Sequence, residues 1–275
     1  MTQYASLLTS WLEPAFMQRA ALALGLLAPA CAAMGTQVIQ MRFAFFSDAI
    51  AHSVFTGVAI GLVVGIHPVV TMLVFALAVG VAVITVKSLG RLPTDTVIGV
   101  LLSASVALGL ALVSLTRQTA RFNAYLFGDI LAVTDTEIAF AGALSAASLA
   151  FLFFCGNRLT LAGLSRELAQ AEGVRVGLLE SVFALMLAAL VAVSVRFVGA
   201  LLVTALLLVP AAAARQLARS LSVNFWTAIG IGLASSMIGL CASYALDVST
   251  GASIVLVSFG FFLFCTVAGR VRGKG

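Results

Sequence analysis

Charge is what this sequence has least of. Asp, Glu, Lys and Arg make up 9% of its 275 residues, where a soluble domain carries about 25%. So few charges exclude an ordinary water-facing globule. Histidine is scarcer still, at two residues. No H-E-x-x-H or G-x-S-x-G stretch occurs, which removes the usual metallopeptidase and serine-hydrolase arrangements. There is no G-x-x-x-x-G-K-[ST] loop either, so any ATP use must come from another chain. The four cysteines, Cys31, Cys155, Cys241 and Cys265, fall within apolar runs and lack metal-type spacing. They read as small packing residues, neither disulfides nor ligands. The net charge of +5 is spread in ones, twos and threes at the ends of apolar runs, so it is no nucleic-acid footprint.

Apolar sequence fills the space. Hydrophobic residues are 62% of the chain and the mean hydropathy is +1.18. Runs near the roughly 18–20 residues that cross a bilayer recur along the whole length. Sheet-like alternation and the short two-residue-period segments of a β-barrel are missing. The reading is an all-α polytopic membrane protein forming one transmembrane domain over 1–275. Nine candidate spans stand at 20–39, 44–64, 69–86, 97–115, 137–155, 178–195, 198–214, 226–246 and 252–269. The seventh is separated from the sixth by only Arg196 and Phe197, so a tight hairpin or re-entrant pair would give eight full spans. Residues 1–19 lack a basic start and a cleavage site, and read as an interfacial lead-in with Trp11 at headgroup depth rather than a signal peptide. Lys and Arg gather on the side that holds the 158–175 connection and the basic tail 270–275. That side is therefore expected to be cytoplasmic.

Residues 45–61, FFSDAIAHSVFTGVAIG, carry the strongest chemical signal. Asp48 is the one acid placed inside a span, and His52 follows four residues later. An aspartate at the bilayer centre costs about 2.5–3.5 kcal/mol, so it should face a partner or water. Side chains four apart on a helix share a face, with Cβ atoms roughly 5–6 Å apart. Carboxylate oxygen with imidazole nitrogen suits Zn²⁺, Mn²⁺ or Fe²⁺. A hydrogen-bonded Asp–His lock between helices is the alternative, and a proton path a further one. Gly57, Gly61 and Gly65 follow at four-residue spacing and read as a close-packing stripe, expected on about the same side as the pair. Gly232, Ser236 and Gly239 form a looser stripe, and Pro210 is expected to end or kink its helix. His67, ahead of Pro68, reads as an outward loop residue. Segment 158–177 reads as a short amphipathic helix with Leu164, Leu168 and Ala171 on one side, either a solvated loop or a docking helix.

Four stretches in order resemble the permease subunits of ABC importers for zinc, manganese or chelated iron. They are SDAIAHSVFTGVAIG at 47–61, YLFGDILAVT at 125–134, SRELAQAEGV at 165–174 and FVGALLVTALLLVPAAAAR at 197–215. The resemblance is nearest to zinc permeases, and it implies a fold of the cobalamin-importer type, a homodimer in the bacterial inner membrane. It further implies two partner ATPase subunits that bind ATP and an extracytoplasmic metal-binding protein, with no cofactor held permanently. Asp48 and His52 would be transient metal ligands. Leu164, Ser165, Glu167, Leu168, Ala169 and Gly173 would belong to a coupling helix seated on the ATPase, and YLFGDIL would face the binding protein. Two other readings stay open at this point. One is a permease of like architecture for a chelate or other small solute, with Asp48 and His52 structural. The other is an intramembrane enzyme or scaffold.

Overall fold

The computed structural model describes residues 14–90, 92–115 and 133–272. The 1–13 part of the lead-in, residues 116–132 with most of YLFGDILAVT, and the last three tail residues lie outside them. Among the described residues every regular element is a helix: α1 Ala15–Gln40, α2 Ala44–Val64, α3 Pro68–Leu89, α4 Thr94–Leu115, α5 Asp135–Leu164, α6 Arg166–Ala171, α7 Val176–Val198, α8 Ala200–Leu217, α9 Leu221–Leu246 and α10 Thr250–Arg272. Eight of these are long and apolar enough to cross a membrane, while α8 has the shorter apolar stretch Leu202–Leu217. The nine expected spans are thus eight full ones and one short helix.

Local chemistry accounts for the boundaries. His67 precedes α3 and Pro68 opens it, where a missing N–H costs nothing. Gly65 ends α2 and Gly90 ends α3, both in the left-handed region at φ 79° and 82°. Gly65 was expected in the packing stripe, but nothing lies within 4 Å of where its Cβ would be. Its role is to stop the helix. Ser220 caps α9 by accepting from the Val223 N–H at 3.3 Å. Pro210 lies inside α8, and the helix continues through it to Leu217. Residues 158–164, expected in a polar connection, extend α5 to 30 residues.

The chain divides into two compact units. The first contains residues 1–36, 129–149 and 205–275. Here α9 packs on α10, and a Cβ on Gly239 would come within 2.5 Å of Ile254 Cα. Gly232 likewise faces Ala32 and Ala28 of α1, while Ser236 is buried and donates to the Gly232 carbonyl at 2.8 Å. The second unit contains residues 37–128 and 150–204. In it α2 packs against α3, α4 and α7, and α3 packs against α7. Backbones approach closely at Gly57, where a Cβ would stand 2.5 Å from Met72 Cα, and at Gly61, where it would meet the Thr71 hydroxyl. On another side of α2, Thr56 donates to the Ser105 carbonyl of α4 and Gly109 lies against Thr56. Small residues let α2 sit this deep without lost van der Waals contact. α7 and α8 are separated by Gly199 alone, at φ 90° and ψ 154°. This junction is buried, with Val198 and Ala200 both inside.

Candidate functional site

From Phe45 to Ala59, α2 is buried on all but one side, and the residues left open there form one stripe: Phe45, Asp48, His52 and Phe55. Their spacing of three, four and three residues keeps them on one side of a helix. Asp48 and His52 are therefore presented together out of the chain, with side chains 44% and 30% exposed. The His52 Nε2 to Asp48 Oδ1 distance is 3.7 Å, too long for a hydrogen bond. The His52 ring meets the edge of Phe55, with centroids 5.8 Å apart. Among the described residues no group of three or more His, Cys, Asp or Glu is arranged to hold a metal. The pair thus sets a carboxylate and an imidazole side by side.

The structure corrects the expected relation between the pair and the glycines. Gly57 stands nine residues after Asp48, and Gly61 nine after His52. At about 100° per residue that separation is half a turn of the helix. Gly57 and Gly61 accordingly face α3, whereas Asp48 and His52 occupy the open stripe. The depth of the pair also follows. α2 begins at Ala44, just after Arg42 in the left-handed region at φ 59°. Asp48 is then only about 6 Å along the helix, in its first third. His67 is exposed in the turn before α3, at the opposite end of α2.

The short helix α6 covers Arg166–Ala171, and Leu164 ends α5 just before it. Ser165 caps it by accepting from the Leu168 N–H at 3.3 Å. Gly173, at φ 76°, takes a left-handed turn two residues after its end. Its buried residue is Ala169, packed with Ala162 and Val176. Leu164 and Leu168, expected to share a face, are 72% and 60% exposed, and Ala171 and Glu167 are exposed as well. The apolar side of this segment points away from the chain. What sequence reasoning missed is Glu180, five residues into α7, which pairs with Lys87 and Arg166. An acid at a span end gives no signal in sequence that it joins two basic residues from other helices.

Comparison with known proteins places the chain. The model of the ABC 3 transport family matches residues 13–269. The high-affinity zinc uptake system membrane protein ZnuB of Haemophilus influenzae is 32% identical over 84% of this chain and 89% of that one. The manganese import system permease protein ScaB of Streptococcus parasanguinis is also 32% identical, over 90% and 89%. Among solved structures, PsaBC from Streptococcus pneumoniae in complex with Fab superimposes with a TM-score of 0.83 and 29% identity, covering 95% of both chains. A multi-pass chain matched over residues 13–269 in this way belongs to the ABC 3 transport family and is a membrane permease subunit, with ATP hydrolysis carried by a separate ATPase subunit.

Proposed function

We propose that this chain is the permease of an importer for a divalent transition metal, Zn²⁺ first, with Mn²⁺ and Fe²⁺ as the other candidates, and that Asp48 and His52 are transient ligands on its path. The observation that carries the reading is the open stripe of α2. Two metal-competent groups stand 3.7 Å apart, on one helix, without the hydrogen bond that would satisfy them. The 3.7 Å separation favours this reading over a hydrogen-bonded Asp–His lock. A transport site must release what it binds, and one oxygen with one nitrogen per chain suits that better than a closed thiolate cage.

The same stripe supports a homodimer. A carboxylate facing lipid would be costly, and a second copy laid on the stripe would cover it and double the donor set. The relatives named for zinc and manganese match at equal identity, and neutral imidazole with carboxylate serves both metals. Zinc is put first on the YLFGDILAVT and FVGALLVTALLLVP stretches. The exposed leucines here, Leu164 at the end of α5 and Leu168 in α6, suit docking in a cleft of two ATPase subunits at the cytoplasmic face. The C-terminal tail would share that face, and an extracytoplasmic metal-binding protein would deliver the ion. ATP-driven closure of the ATPases would then switch access between the two sides, with both compact units acting as one permease domain.

The deciding experiment is ATP hydrolysis and metal uptake by the complex reconstituted in vesicles, with Zn²⁺, Mn²⁺ and Fe²⁺ compared. Asp48→Asn and His52→Ala are expected to abolish uptake while the permease stays in the membrane with its ATPase bound. Unimpaired uptake in both variants would remove the ligand assignment.

A further inference from the structure

Glu180 is half of an arrangement that the metal pair does not use. It sits in the second turn of α7 with its side chain 16% exposed and holds two cations on one oxygen. Lys87 Nζ donates to Oε2 at 3.2 Å and Arg166 Nη2 at 3.0 Å. Lys87 belongs to the last turn of α3, and Arg166 is the first residue of α6. Lys87 Nζ also stands over the Phe43 ring, 5.1 Å from its centroid, within cation–π range. Phe43 stacks on Phe183 of α7 at 6.1 Å and tilts against Phe46 at 5.7 Å. Phe43 immediately precedes α2, and Asp48 lies five residues further, about 7.5 Å along the axis. One carboxylate therefore joins α6 to α3, and through the Lys87–Phe43 contact to the end of α2 that bears Asp48.

Apolar packing leaves a gap at this junction. A cavity of about 460 Å³ lies among Phe46, Lys87, Ile98, Arg166, Glu180 and Ala184. α6 buries Ala169, and among the described residues its polar side-chain tie to another helix is Arg166 to Glu180. The ion pairs thus bridge these elements across the cavity, beside the apolar contacts of Ala169 and Phe43. Removing the one negative charge would leave Lys87 and Arg166 facing each other, with repulsion in place of attraction.

We infer that Glu180 is the positioning residue through which a displacement of α6 reaches the helix carrying Asp48 and His52. The inference rests on the reading of α6 as the ATPase-docking element and of the Asp–His pair as transient ligands. A merely structural ion pair with a half-exposed Arg166 would add little to stability and would leave the efficiency of transport untouched. A transmitting pair would set the number of metal ions moved per ATP hydrolysed.

The test measures that ratio in vesicles for the wild-type complex, Glu180→Gln, Arg166→Gln and the double variant. Each single variant is expected to lower the ratio about tenfold, the range of a typical coupling free energy, while the permease still co-purifies with its ATPase. The double variant is expected to be no worse than either single, because the two groups act as one unit. An unchanged ratio in Arg166→Gln, additive losses in the double variant, or loss of ATPase binding in Arg166→Gln would each overturn the inference. Arg166→Gln alone decides the matter should Glu180→Gln fail to accumulate, since its side chain lies at the surface. A wild-type complex without metal-dependent hydrolysis would sink the proposed function instead.

Discussion

Asp48 and His52 show how much a single residue pair can disclose. An acid within an apolar run of 17 residues was legible at once, because nothing else in a membrane span is so expensive. The side of the helix that it occupies was also within reach of simple counting, yet the glycine spacing drew attention to the wrong face. Nine residues separate Asp48 from Gly57, which is half a turn rather than a whole one. Close packing and the open Asp48–His52 stripe therefore belong to opposite sides of α2. Gly57 can then be altered without touching the face of the proposed ligands. Gly57→Leu is expected to push α2 away from the Met72 backbone and destabilise the protein by about 1–3 kcal/mol, the usual cost of overpacking. Its melting temperature in detergent should fall, and a variant as stable as the wild type would remove the close approach as a determinant of the fold.

At the scale of one element, α6 is the instructive case. Leu164 and Leu168, four apart, read as one side of an amphipathic helix, in a solvated loop or a docking element. A periodicity of that kind reports only that two apolar side chains share a face, and a face meant for another protein looks the same as one meant for the core. The structure separates the two, since Ala169 is inside and both leucines are out. Leu168→Glu is thus expected to leave the permease folded, with an unchanged melting temperature, and to weaken its co-purification with the ATPase subunits at least about tenfold. That factor corresponds to roughly the 1.5–3 kcal/mol that a buried leucine contributes. Full retention of the ATPase would assign the docking surface elsewhere. Glu180 was not legible because an ion network has no period: Lys87, Arg166 and Glu180 come from three helices, and only the fold brings them together.

For the whole molecule, the sequence specified the class and the order of spans, because length and hydropathy are what a bilayer selects for. Each expected span is a helix, and the seventh proved too short to count fully. What hydropathy could not specify was the surface each helix leaves open. α2 is mostly buried, yet its open stripe carries Phe45, Asp48, His52 and Phe55, a composition unsuited to lipid. The prediction at this scale is that two copies meet there. Phe45→Cys, in a variant lacking the four native cysteines, is expected to form an intermolecular disulfide in native membranes on oxidation, visible as a band of doubled mass on a non-reducing gel. Only monomer under those conditions would leave the stripe facing something other than its own copy.

At Gly199 two helices follow each other with a single residue between them. A backbone at φ 90° and ψ 154° is open almost only to glycine, and its neighbours on both sides are enclosed. The turn between the two helices therefore depends on one residue, and any side chain at position 199 would have to take a backbone it rarely adopts, inside the protein.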